Sequence, residues 1–145
     1  MFNNKKGFTF IELLILFTIS TIILTLFGTI AVRTHDTIQY KQFTKQFHQD
    51  LLYLQQLAIS EREHYFLQFE RSKNRYHIRR GGNGISVLMR VYPEEWNVHP
   101  HTLKMPIEFS QKGNIKRPGT MRIQTKFHSF FITCPFGKGR CYDSA

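Results

Sequence analysis

The sequence contains seven histidines but lacks the residue groupings that common enzyme and metal sites use. Its 145 residues include only two cysteines. The glycine-rich run Gly81–Gly84 lacks the lysine and the serine or threonine that a phosphate-binding loop requires. The loop histidines His99 and His101 have no cysteine or carboxylate cluster at zinc-site spacing near them. We therefore expect no enzyme activity, no metal site and no cofactor.

Charge is missing from one long segment and proline from an even longer one. No charged residue lies between Leu13 and Val32, and most positions there are Leu, Ile, Phe or Val. A helix of this length spans roughly 30 Å, the thickness of a bilayer hydrocarbon core. Its Ser and Thr hydroxyls can bond back to helix carbonyls, so they do not exclude spanning. Because no proline interrupts residues 8–60, the sequence predicts one long helix.

The apolar run is interpreted as a retained membrane anchor, with a secretory signal as the alternative. A signal peptide would end in a small-residue cleavage site, and no such site follows near Val32. Lys5 and Lys6 precede the run, so the positive-inside bias places the N-terminus in the cytoplasm. The sequence thus predicts a single-pass membrane protein whose C-terminal part lies outside the cell.

The helical pattern continues beyond the apolar run as an amphipathic segment. Large apolar residues recur at spacings of three and four, which places them on one helix face. They are Tyr40, Phe43, Phe47, Leu51, Leu54 and Ala58. An apolar stripe of this kind needs a partner surface, and a sheet formed by the rest of the chain would supply it.

After Glu63 the apolar period changes from about four to two, which is typical of strands. Alternation on both sides of the turn Arg71–Asn74 predicts a β-hairpin, and residues 85–92 predict a further strand. Residues 93–106 contain three prolines and are expected to be irregular. A strand pair of 107–109 with 121–125 and a last long strand over 127–134 complete the prediction.

The predicted fold class is α+β, a long N-terminal helix packed on a small antiparallel β-sheet. We divide the chain into four segments by the changes in pattern. These are a polar leader (1–7), a transmembrane or assembly helix (8–32), its amphipathic continuation (33–62) and an extracytoplasmic β domain (63–145).

The leader boundary carries the most specific motif of the chain. A basic leader ends in Gly7, the apolar helix starts at Phe8, and a lone Glu12 follows four residues later. These residues resemble type IV prepilins and pseudopilins, in which the same spacing occurs and which share the long helix and small β domain. The resemblance implies that a prepilin peptidase cuts between Gly7 and Phe8 and methylates the new amino group of Phe8.

Glu12 is unusual on physical grounds alone. An unpaired carboxylate among apolar residues at a membrane costs several kcal/mol, so such groups usually have a partner. Cleavage after Gly7 would create a positive amino group about one helical turn away. In a filament, Glu12 of one subunit could pair with the amino group of its neighbour and set axial register. The alternative is an interfacial glutamate that points to headgroup water.

The C-terminal part extends the resemblance. The segments 109–115, 119–123 and 137–140 resemble Gram-positive competence pseudopilins of the ComGD type. The resemblance implies a minor pseudopilin of a transformation pilus that supports DNA uptake, is displayed at the cell surface and has other competence pilins or pseudopilins as partners. A pseudopilin of a type II secretion system is a weaker alternative.

The two cysteines, Cys134 and Cys141, both lie in the predicted exterior domain and flank a glycine-containing turn. An exported pair at this spacing favours a disulfide. Two free thiols, one of them buried as a small hydrophobe, are the alternative.

The chain has a net charge of +10, which suits a polyanionic partner such as DNA. Basic and aromatic residues alternate along the predicted hairpin, a combination found in sequence-tolerant DNA binding. The candidate DNA contacts are Arg71, Lys73, Arg75, Arg79 and Arg80. Lys112, Lys116, Arg117 and Arg122 form a second basic region. Solvated surface charge and contact with acidic neighbouring subunits are the alternatives.

Overall fold

The computed structural model describes residues 9–61, 63–81 and 84–144, without the side chains of 26–33 and 144. The chain divides into two compact units, one ending at Thr37 and one beginning at Ile38. One 51-residue helix, α1 (Phe10–Ser60), contributes to both. The predicted long helix is therefore present.

In the first unit, α1 exposes the apolar side chains of its opening turns, from Phe10 at 77% to Leu24 at 70%. The hydroxyls of Thr18, Ser20, Thr21 and Thr25 each donate to a carbonyl three residues earlier, at 2.8–2.9 Å. This confirms that these four hydroxyls are satisfied within the helix. Among the described residues, no helix is both long and apolar enough to cross a membrane.

The second unit contains the remainder of α1 and two antiparallel sheets. The first sheet has the order β1-β2-β3, and the second has the order β4-β5-β6-β7. The strands of the first sheet are β1 (Tyr65–Glu70), β2 (Arg75–Arg80) and β3 (Ile85–Val91). Those of the second are β4 (Asn97–His99), β5 (Gly119–Gln124), β6 (Ser129–Cys134) and β7 (Tyr142–Ser144).

The predicted hairpin is confirmed, with β1 and β2 joined by a single 3-10 turn at Arg71–Lys73. Three details of the strand prediction were wrong. The expected irregular stretch 93–106 contains β4, which pairs with β5. Residues 107–109 do not pair with β5 but form isolated bridges, Ile107 to Leu67 and Phe109 to Ile115. As a result, the described residues form two sheets instead of the single sheet expected.

The core of the second unit lies between α1 and the two sheets. Five of the six stripe residues are buried, and the sixth, Phe43, packs against them half-buried. Tyr40 stacks on Phe130 of β6 with ring centroids 3.5 Å apart, and Phe47 meets Tyr76 of β2 edge-on at 5.4 Å. The amphipathic stripe thus contacts both sheets, as its period predicted.

Candidate assembly site and surface cations

The start of α1 is organised by Thr9 and Glu12. The backbone N–H of Thr9 donates to Oε2 of Glu12 at 2.9 Å, and the hydroxyl of Thr9 donates to the same oxygen at 3.0 Å. The backbone N–H of Glu12 in turn approaches Oγ1 of Thr9 at 3.4 Å. This reciprocal pattern is a capping box, which satisfies backbone donors that a helix start otherwise leaves free.

The capping role of Thr9 was missed in the sequence, although its signal was there. Threonine followed by glutamate three residues later, just before an apolar run, is the sequence signature of a capping box. The predicted processing residues Gly7 and Phe8 lie outside the described residues. Glu12 lies inside them, exposed in the first helical turn and hydrogen-bonded only within its own helix start.

The basic hairpin is organised around one acidic residue, Glu70. Arg75 Nε donates to Oε2 of Glu70 at 2.7 Å, and Lys73 Nζ lies 2.8 Å from Oε1. His77, buried on the same sheet face, lies 3.1 Å from Oε2 through its Nε2. Hydrogen bonds from Arg75 and then Lys73 lower the pKa of Glu70 to about 2. The structure therefore brings two of the predicted DNA contacts together on a carboxylate.

The other three hairpin cations have different surroundings. Arg80 Nε forms an ion pair with Oε2 of Glu63 at 3.2 Å. Arg79 Nε is buried and has no hydrogen-bond partner among the described atoms. Arg71 is exposed in the 3-10 turn. On β2 itself, Tyr76 and Ile78 are buried in the core, and His77 between them is buried as well.

The second basic region is also partly neutralised, by the buried Glu108. Lys116 Nζ lies 3.0 Å from Oε2 of Glu108, and Arg117 Nη2 lies 3.0 Å from Oε1. His64 Nε2 adds a contact at 3.4 Å. Burial alone would raise the pKa of Glu108, but the hydrogen bonds and charges of Lys116 and His64 outweigh it and lower that pKa. Arg122, on β5, is exposed instead.

Two comparisons with known proteins bear on this arrangement. Residues 2–28 match the family described as the prokaryotic N-terminal methylation motif. The chain is also 30% identical over 139 residues to "Competence protein ComGD" of Bacillus subtilis (strain 168), across 95% of this chain and 92% of that protein. The chain belongs to the ComGD-like type IV pseudopilins. No solved structure matches it.

The identification confirms the resemblance carried by the leader boundary and by the C-terminal segments. It also agrees with the α+β fold, since the pseudopilin has the long helix followed by antiparallel strands. Pseudopilins are structural subunits, which is consistent with the expectation that the chain is not an enzyme.

The two cysteines of this pseudopilin are joined in a disulfide between Cys134, at the end of β6, and Cys141, just before β7. Their Cα atoms lie 4.2 Å apart. Cys134 is buried in the core, so the bond anchors the C-terminal strand to the centre of the second sheet. The geometry corresponds to the first of the two alternatives that the sequence left open.

Proposed function

We propose that this pseudopilin is a minor structural subunit of a competence pilus or pseudopilus that supports DNA uptake. The observation that carries the proposal is the 30% sequence identity to a competence protein, which extends over 95% of the chain. The methylation motif at residues 2–28 supports the same pathway. Other competence pilins or pseudopilins are then its partners in the filament.

Maturation follows from the motif at the leader boundary. In this proposal a prepilin peptidase cleaves between Gly7 and Phe8 and methylates the amino group of Phe8. The apolar helix of residues 8–32, which carries no charge after Glu12, anchors the precursor in the membrane, with Lys5 and Lys6 on the cytoplasmic side. The β domain lies outside and reaches the cell surface after assembly.

Glu12 is the proposed assembly residue. Its carboxylate is held in position by the N–H and hydroxyl of Thr9, so it is oriented before a partner arrives. The apolar side chains around it are exposed, which is the surface that neighbouring helices in a filament would cover. A methylated amino group on Phe8 of the adjacent subunit supplies the positive charge that this carboxylate would pair with.

The first test is the N-terminal mass of the protein from its native membrane, with and without the prepilin peptidase. The expected result is a species beginning at methylated Phe8 only when the peptidase is present. A species beginning at Met1 in both strains would overturn the proposed maturation.

The second test separates the charge of Glu12 from its capping role. Glutamine also serves at this position of a capping box, so Glu12→Gln keeps the helix start and removes the charge. We expect Glu12→Gln to be cleaved normally but to be lost from sheared filaments. Glu94→Gln, a matched change in an exposed loop, should be incorporated like the wild type. Normal incorporation of Glu12→Gln would refute the charge pairing.

A further inference from the structure

Positive charge is unevenly divided between the two sheets. Residues 63–96, which include the first sheet, contain six Lys or Arg and four Asp or Glu, a net charge of +2. Residues 97–145, which include the second sheet, contain eight Lys or Arg and two Asp or Glu, a net charge of +6. A polyanion is therefore attracted mainly to the second half of the β domain.

The strand register of the second sheet aligns basic and aromatic residues on its outer face. His99 of β4 pairs with Arg122 of β5, and Arg122 pairs with Phe131 of β6. In the next row, Thr133 of β6 pairs with Tyr142 of β7. Directly paired side chains lie about 5 Å apart, and Tyr142, a diagonal neighbour of Phe131 on the same face, lies about 7–8 Å from it. We call these four residues, His99, Arg122, Phe131 and Tyr142, the outer row.

The outer row is accessible because alternate residues of the same strands form the core. Val98, Met121, Ile123 and Ile132 are buried, and each adjoins a residue of the opposite face. His99 and Arg122 are exposed, Tyr142 is 52% exposed, and Phe131 is half-buried. A guanidinium flanked by rings at a sheet surface combines a phosphate contact with stacking surfaces for bases.

The acidic residues of this half do not neutralise the outer row. Glu108 is engaged by Lys116 and Arg117. Asp143 pairs in register with the buried Ile132, so it alternates to the side opposite Tyr142. Among the residues that the structure describes, Arg122 forms no ion pair. The hairpin differs, because Glu70 and Glu63 already bind three of its five cations.

We propose that the outer row is a binding surface for single-stranded DNA. Arg122 contacts a phosphate, while Phe131 and Tyr142 stack on bases. In the loop between β5 and β6, Lys126 lies 5.7 Å from the ring centroid of the exposed Phe127, a second basic and aromatic pair in this half of the domain. This binding goes beyond the subunit role proposed above and does not depend on it.

The test measures fluorescence anisotropy of a labelled oligo-dT of about 20 nucleotides against the full chain in detergent micelles. Arg122→Gln is compared with Arg71→Gln, which also removes an exposed arginine, this one from the hairpin turn. We expect Arg122→Gln to weaken binding about tenfold and to reduce the salt slope by about 0.7, the value for one phosphate contact on a single strand. Arg71→Gln should change the affinity less than twofold.

The stacking component has its own variant. Tyr142→Ala removes an exposed ring near the chain end, and we expect about fivefold weaker binding with an unchanged salt slope. A fall in the salt slope equal to that of Arg122→Gln would contradict stacking.

Three results would overturn the proposal. One is an equal or larger loss in Arg71→Gln, which would place the contact on the hairpin. Another is competition by inorganic polyphosphate that is as strong as competition by unlabelled oligo-dT. This result would show that binding depends on charge alone, without base stacking. The third is an absence of wild-type binding at low salt. Incorporation of Arg122→Gln into filaments is measured in parallel, so failure of this surface is distinguishable from failure of the subunit role.

Discussion

The hydroxyl of Tyr76 donates a 2.7 Å hydrogen bond to Oδ2 of Asp50, joining the centre of the first sheet to α1. Both residues are buried, and Arg90 Nε of β3 reaches the same oxygen at 3.3 Å. Burial and then the hydrogen bond to Asp50 raise the pKa of Tyr76 above its usual range. A carboxylate on the helix thus fixes the position of two strands.

Removing the hydroxyl of Tyr76 should weaken this junction. Tyr76→Phe leaves Asp50 with Arg90 as its remaining partner, and we expect a loss of about 1–2 kcal/mol in the free energy of unfolding. Urea unfolding followed by the fluorescence of the single, buried Trp96 measures it. Tyr53→Phe, an exposed tyrosine on the same helix, is the control and should stay within about 0.5 kcal/mol of wild type. If Tyr76→Phe were as stable as the control Tyr53→Phe, the stabilising role of the Tyr76–Asp50 hydrogen bond would be contradicted.

The Glu70 cluster should make stability depend on pH in the acid range. The pKa of Glu70 in the folded protein is about 2, below the ordinary value of 4.5, so the contribution is fully present above about pH 5. It is lost as the pH falls toward 2. We expect Glu70→Gln to have a lower Tm than wild type at pH 7, with a difference that shrinks between pH 5 and pH 2.5. A difference that stays constant over this range would contradict the ion-pair explanation.

The disulfide should stabilise the second sheet. By chain-entropy estimates, a disulfide that closes a loop of this length stabilises the fold by about 2–3 kcal/mol. Reduction with dithiothreitol should therefore lower the free energy of unfolding by that amount. Cys141→Ala should show the same loss without reductant and no further change with it. Cys141 is the better position to change because Cys134 is buried. If complete reduction left the free energy of unfolding of the wild type unchanged, this stabilising role would be contradicted.

Gly119 is required by close backbone contact. A Cβ at this position would lie 2.6 Å from the Cα and N of Leu103. Leu103 N donates to Thr120 O at 3.1 Å, and this contact would have to separate. We expect Gly119→Ala to cost about 2–3 kcal/mol in urea unfolding. Gly137→Ala is the control, because a Cβ at this position would meet nothing within 4 Å. Only its φ of +70° is unfavourable, and we expect this to lower the free energy of unfolding by about 1 kcal/mol.

Several elements were predictable because their signals are local. The apolar stripe repeats with the helical period over residues 40–58, and the hairpin alternates on both sides of a recognisable turn. β4 was missed because three residues are too few to show alternation, and prolines surround them. The predicted pairing of residues 107–109 with 121–125 was wrong. Strand pairing between residues far apart in the chain depends on packing, which no local pattern encodes.

The sequence by itself determined the leader motif, the position of Glu12, the long helix and the family, because each depends on residue type at short spacing. Only the tertiary structure decided which cations are neutralised. Glu108 meets Lys116 and Arg117 through a folded loop, and Arg80 meets Glu63 across the end of a strand pair. It likewise aligned His99, Arg122 and Phe131 from three strands. Charges far apart in the chain interact only at distances that packing sets, and Coulomb energy falls with that distance.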